Sequence, residues 1–172
     1  PLIRENNIVR NTSKKALVCL HWLDLGGAEV FAVECIQHLK KIGYEVIVVC
    51  AHKSRDFYSS KFSEDIKIYQ IDSFIPQGKE VEFIYNLCKQ EDISLIHNHH
   101  NIYLYESLPL LRLNNLNIFI IDSLHIIEKK RFHEGFPRIS LVWTNYIDIH
   151  HVISTKLKNY LLDYGVESSK IK

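Results

Sequence analysis

Short apolar runs alternate with amphipathic stretches along this chain. Residues 16–20, Ala-Leu-Val-Cys-Leu, form an uninterrupted apolar run that predicts a buried strand. After a polar turn containing Gly26 and Gly27, Ala28, Phe31, Ala32, Cys35, Ile36 and Leu39 recur at three- and four-residue spacing, as one face of a helix does. Gly43 stops that helix, and the β-branched run at 46–50 suits a parallel strand covered on both faces. A short polar connection at 54–62 leads to a third strand marked by Ile66, Ile68 and Ile71, and Pro76-Gln77-Gly78 breaks the chain again. Val81, Ile84, Leu87 and Cys88 then share a helix face that ends near Gln90.

The second half repeats the alternation. A fourth strand at 93–96 runs into His97-Asn98-His99-His100, and Leu104, Leu108 and Leu111 predict a helix closed by Asn114-Asn115. A fifth strand at 118–121 delivers Asp122-Ser123-Leu124-His125. Residues 126–138 read as a basic, aromatic loop without apolar periodicity, expected to move freely. A helix is predicted at 141–146 and a sixth strand at 149–153. Ser154 caps a last helix carrying Leu157, Tyr160 and Leu161, and Gly165 stops it. Strands alternating with helices predict an α/β fold, a doubly wound parallel sheet of the Rossmann-like kind, in the order 3-2-1-4-5-6. Residues 1–13 read as a leading arm and 14–172 as one domain.

In such sheets ligands bind beyond the carboxyl ends of the strands. Three strand ends gather unusual residues: His21 to Gly27, His97 to His100, and Ser123 to His125. Two glycines before a helix make an anion site, because the first helical N–H groups lack intrahelical partners and nothing shields the backbone. The glycines also fit a plain tight turn. His97 and His99 share a face, as metal ligands do, but no carboxylate or thiolate stands at ligand spacing beside them, so no metal is expected. His125 reads either as a site residue or as a loop histidine. His38 and His52 read as surface residues, and His150 and His151 as ordinary strand-start residues. Lys129, Lys130 and Arg131, with Phe132 and Phe136, suit a solvated loop or a flap that meets an acidic acceptor or an anionic membrane surface.

Composition narrows the classes. A net charge of +1 gives no reason to expect nucleic acid as a partner. No apolar run approaches the roughly 18 residues of a membrane span. The four cysteines lie in apolar patterns without metal pairing, which favours a reduced, cytoplasmic setting. The sequence begins at Pro1 and holds no methionine, so a fragment of a longer protein is expected.

Several stretches then carry a resemblance. Leu25-Gly26-Gly27-Ala28-Glu29, with Leu39 and Gly43-Tyr44-Glu45-Val46 after it, resembles the start of family 4 glycosyltransferases of the GT-B fold. Asp92-Ile93-Ser94-Leu95-Ile96-His97-Asn98-His99-His100 is similar to that family's strand ending in histidines. Ser123-Leu124-His125 resembles its threonine-x-histidine segment, with serine for threonine. Val152-Ile153-Ser154, Leu157, Leu161, Gly165-Val166 and Lys170-Ile171 resemble the segment before its interdomain linker. The resemblance implies the acceptor-side half of an enzyme that moves a sugar from a nucleotide-sugar donor to a sugar, lipid or protein acceptor, with retention of anomeric configuration. Glycan, polysaccharide or glycolipid synthesis is the implied setting. The chain stops where the family continues into a donor-binding domain, so this half alone is expected to be inactive. His125 would sit beside the transferred sugar, and Gly26 and Gly27 against the donor diphosphate, without metal or other cofactor. Glu29, His97, His99, His100, Ser123, Lys129, Lys130 and Arg131 would face the acceptor. A cytoplasmic protein, with peripheral contact at the inner face of a membrane, is the implied location.

Two rivals stand beside this. A nicotinamide-binding domain needs a third glycine and an acid ending the second strand, where this chain has Cys50-Ala51-His52. A non-catalytic binding module with the same fold fits the same residues.

Overall fold

The computed structural model describes residues 12–24, 26–54, 66–114, 116–127 and 135–172. Six strands form one parallel sheet in the order β3-β2-β1-β4-β5-β6. The strands are β1 (Lys15–Leu20), β2 (Glu45–Cys50), β3 (Lys67–Gln70), β4 (Leu95–His99), β5 (Phe119–Leu124) and β6 (Ile149–Val152). Between and after them run α1 (Gly27–Lys41), α2 (Glu80–Gln90), α3 (Ile102–Leu113), α4 (Phe136–Val142) and α5 (Thr155–Asp163). The order reverses between β1 and β4, which run side by side and then diverge into connections on opposite faces.

The alternating sides of each strand build two cores. Ala16, Val18 and Leu20 of β1 pack with Val46, Val48 and Cys50 of β2 against Ala32, Ile36 and Leu39 of α1. Leu17, Cys19, Ile47, Val49, Ile96 and Ile120 face the other way, onto Ile84 and Leu87 of α2 and Leu104, Leu108 and Leu111 of α3. Burial on both sides explains why β2 reads as a continuous apolar run. A smaller cluster of Leu124, Leu157, Leu161, Val166 and Ile171 seats α5 at the β6 edge.

Some boundaries differ from the sequence reading. Helix α4 begins at Phe136, inside the stretch read as loop. Gly135 takes φ +77 and Pro137 occupies the first turn, where its missing N–H costs nothing, so both residues start a helix here. The helix expected at 141–146 is the end of α4 followed by a 3-10 turn, Thr144–Tyr146. Ile71 stays fully buried, but in a 3-10 turn after β3. Ser154 does cap α5, accepting from the Leu157 amide at 3.3 Å, and Gly165 takes φ +84 after it. The leading arm before residue 12, most of the 54–62 connection and residues 128–134 of the basic loop lie outside the described residues.

Candidate functional site

All six strands point the same way, so the carboxyl ends of β1, β4, β5 and β6 meet on one edge. Helix α1 starts there. Gly26 is its N-cap, in extended backbone (φ −151, ψ 170) and without a side chain to cap the helix. A Cβ placed on Gly27 would meet no described atom within 4 Å beyond its own helix backbone and chain neighbours. The Glu29 carboxylate folds back over Gly26. Burial raises its pKa first and nearby Asp24 adds to this, while hydrogen bonds from its own amide and the Trp22 indole pull it down.

Phe31, one turn beyond Gly27, ties this helix end to the histidines. Its ring stacks on His151 at 5.3 Å and meets His125 edge-on at 5.4 Å and His99 at 5.9 Å. The register explains the gathering. His97 and His99 pair with Val18 and Leu20, whose side chains face α1, and Ser123 pairs with His151. His97 Nε2 lies 2.7 Å from Ser123 Oγ, which is also 3.1 Å from His151 Nδ1. His99 Nδ1 lies 3.3 Å from His125 Nε2. Burial, with the neighbouring imidazoles adding to it, lowers His97 and His125 to about 4, and lowers His99 well below the ordinary imidazole value. These rings are therefore neutral at ordinary pH, able to donate from one nitrogen and accept at the other.

The opposite face of the same strand ends holds a second polar cluster. Asp122 has no exposure and accepts from Asn98 at 2.9 Å, from Tyr105 at 2.8 and 2.9 Å, and from Ser140 at 2.5 Å. Its pKa is still raised to about 6, because burial outweighs those bonds. Ser140 spends its only proton on Asp122, so its oxygen accepts from His150 Nδ1 at 3.1 Å. His150 Nε2 then accepts from Thr144 at 2.8 Å. Burial lowers His150 to about 4, which matches that neutral tautomer. Asn101 extends the cluster. Its side chain caps α3 by accepting from the Leu104 amide and donates to the Leu20 and Val49 carbonyls, while its own amide donates to Asn98.

His100 sits between the two clusters in the left-handed region, φ +65, with its ring stacked on Phe136 at 4.4 Å. A β-strand cannot continue through that conformation, so β4 ends here and the chain turns into α3. Burial lowers His100 to about 3. His21 meets Phe136 edge-on at 5.6 Å and His52 at 4.7 Å.

The sequence-predicted residues Gly26, Gly27, Glu29, His97, His99, His100, Ser123 and His125 thus share one edge. Lys129, Lys130 and Arg131 lie outside the described residues. Three readings need correction. His52 is not a surface residue away from the strand ends: it lies two residues past β2, against His21 and 3.7 Å from Asp72. His150 and His151 are not ordinary strand starts, since each is pinned into one of the two clusters. A thiol does stand near His97 and His99, because α1 carries Cys35 over them. The end-of-strand rule that selected His21 would also have found His52.

A sequence model described as Glycosyltransferase Family 4 matches residues 25–172. No curated protein sequence matches. Among solved structures, the lipopolysaccharide outer core galactosyltransferase WaaB is similar with a TM-score of 0.66 at 14% identity, over 92% of this chain and 44% of that one. HepE of Anabaena, solved with UDP, gives 0.68 at 12% identity, over 92% and 43%. A glycosyltransferase from Rickettsia africae gives 0.64 at 14% identity, over 92% and 42%. The chain therefore spans less than half the length of these proteins. Among the described residues, no helix is long and apolar enough to cross a membrane.

Proposed function

Because this chain belongs to glycosyltransferase family 4, with the fold of one half of a GT-B enzyme, we propose that it is the acceptor-side half of a retaining transferase. The donor is a nucleotide sugar, and the uridine diphosphate bound by similar proteins makes a uridine diphosphate sugar the first choice. The acceptor is a sugar, lipid or protein, and the remaining donor contacts come from a following domain.

One observation carries the reading: Phe31 joins the first turn of α1 to His125. As the glycosidic bond to the donor breaks, negative charge collects on the leaving diphosphate. The N–H groups of Gly27 and Ala28, without intrahelical partners, stabilise that charge without a metal, and the Glu29 amide joins them once its own carboxylate moves away. The Glu29 carboxylate now covers Gly26, and an arriving diphosphate repels it. Its displacement exposes the helix end and turns the acid toward the acceptor. His125, neutral and half-buried, contacts the transferred sugar through a ring nitrogen. His99 behind it fixes which nitrogen is free for that contact. His97 and Ser123 hold the floor of the cleft, and His100 borders it beside Phe136. Lys129, Lys130 and Arg131 belong to the proposed acceptor side, as does peripheral contact with an anionic membrane surface.

The test uses the enzyme with both halves, assayed with a panel of uridine diphosphate sugars. Transfer from one of them, lost in the His125→Ala variant while donor binding persists, supports the proposal. Transfer unaffected by that change removes it.

A further inference from the structure

Cys35, His97 and His99 each offer one ligand atom, and the three atoms lie within 4.8 Å of one another. Cys35 is 62 positions before His97 in sequence, and only the packing of α1 on β4 brings them together. Both histidines already have one ring nitrogen engaged: His97 Nε2 with Ser123, and His99 Nδ1 with His125. That leaves the opposite nitrogen of each. On His99 this is Nε2, which is buried and has no hydrogen-bond partner among the described residues, on a side chain only 2% exposed.

A buried imidazole nitrogen without a partner is costly unless something binds it. Metal-binding histidines donate their other ring N–H to an acceptor, and here Ser123 Oγ and His125 Nε2 stand in that place. We propose that Cys35, His97 and His99 form a site for a thiophilic divalent cation, zinc first. Thiol and imidazole without a carboxylate favour zinc over magnesium or calcium. The ligand count is three, so a water molecule or another small ligand completes the tetrahedron. With Zn–N near 2.0 Å and Zn–S near 2.3 Å, tetrahedral ligands stand roughly 3.3–3.6 Å apart, so side-chain movement of about an ångström closes the set. The Cys35 thiol gives up its proton to solvent as the metal–sulfur bond forms. Cys35 is half-buried, which leaves a route for the ion from the α1 side. Occupation also has a consequence for the neighbouring ring. A metal on His99 Nε2 leaves the hydrogen on Nδ1, so His125 Nε2 must accept and carry its own hydrogen on Nδ1.

The experiment titrates the full chain, reduced and stripped with a chelator, with Co2+ and then Zn2+. The expected result is one Co2+ per chain, with a thiolate-to-cobalt charge-transfer band and the visible bands of tetrahedral cobalt, both abolished by stoichiometric Zn2+. Cys35→Ser should lose the charge-transfer band and bind Zn2+ at least about tenfold more weakly. His38→Ala, a change on the same helix, should leave both unchanged. Cys35→Ser replaces one small atom on a half-buried helix face, and circular dichroism reports whether it folds. Wild-type protein without the band, or Cys35→Ser binding as tightly as wild type, overturns the proposal. The readout is spectroscopic and independent of sugar transfer, so its failure leaves the transferase reading untouched.

Discussion

His125 Nε2 lies 3.3 Å from His99 Nδ1, so a partly exposed imidazole at the carboxyl-end edge of the sheet rests on a fully buried one. If His125 touches the transferred sugar, His125→Ala in the two-domain enzyme lowers kcat by on the order of a hundredfold. His38 is exposed on the last turn of α1 and serves as the control. His52 does not, because its ring contacts His21 on the same edge. Steady-state kinetics of the variants checks this, and a His125→Ala rate within a few-fold of the control removes the catalytic role.

The first turn of α1 permits a clean separation of folding from binding. Gly27 is helical and exposed, and a Cβ there meets no described atom within 4 Å outside its own helix, so Gly27→Ala leaves the fold intact and stabilises it by roughly 0.5 kcal/mol. If donor phosphates sit against this turn, the new methyl group raises the donor KM about tenfold or more. Thermal melts and donor titrations read the two effects separately. An unchanged KM places the diphosphate elsewhere.

The histidines make the fold acid-sensitive. His97, His125 and His150 are lowered to about 4 and His100 to about 3, from an ordinary 6.5. A depressed folded pKa contributes stability that is present above 6.5 and lost as pH falls toward 4. Asp122 works oppositely: raised from 3.8 to about 6, its contribution is present below 3.8 and lost as pH rises through 6. These four histidines outweigh the two raised carboxyls, Asp122 and Glu29, so Tm falls as pH drops from 6.5 toward 4. A Tm that stays level or rises over that interval contradicts the neutral, buried state of these rings.

Asn101 holds two strands and a helix with one side chain. Asn101→Ala removes a helix cap, worth about 1 kcal/mol, and takes one bond each from the Val49 carbonyl and from the Leu20 carbonyl, which keeps the Ala51 amide, at about 1 kcal/mol each. The expected loss is about 3 kcal/mol in urea unfolding. Asn114→Ala, at an exposed bond to Leu110, should cost about 0.5 kcal/mol or less. Equal effects of the two changes would show that the buried bonds of Asn101 contribute nothing net.

What could be read from the chain alone follows its local physics. β2 was legible because a strand covered on both faces must be apolar throughout, and Ser154 because a cap acts within three residues. The end-of-strand rule alone places Gly26, His97 and Ser123 on one edge. The start of α4 was hidden because Gly135 and Pro137 punctuate loops as readily as helix starts. His150 and His151 looked unremarkable because their partners, Asp122 and Ser123, are fixed only once β5 pairs with β6. Cys35 was invisible as a neighbour of His97 for the same reason: contact across a helix–sheet interface leaves no trace in spacing.

The pairing of Asn98 with Asp122 bears on how the chain finds its structure. They are register partners on adjacent strands as well as hydrogen-bonded side chains, and both point toward α3. Two apolar parallel strands slide past each other with little to tell one alignment from the next. Here a shift of one residue would turn Asp122 toward α1 and away from its donors Tyr105 and Ser140, leaving a buried carboxylate without them. Once α3 and α4 bring Tyr105 and Ser140 to the carboxylate, the polar pair separates the native alignment of β4 and β5 in energy from its one-residue slips.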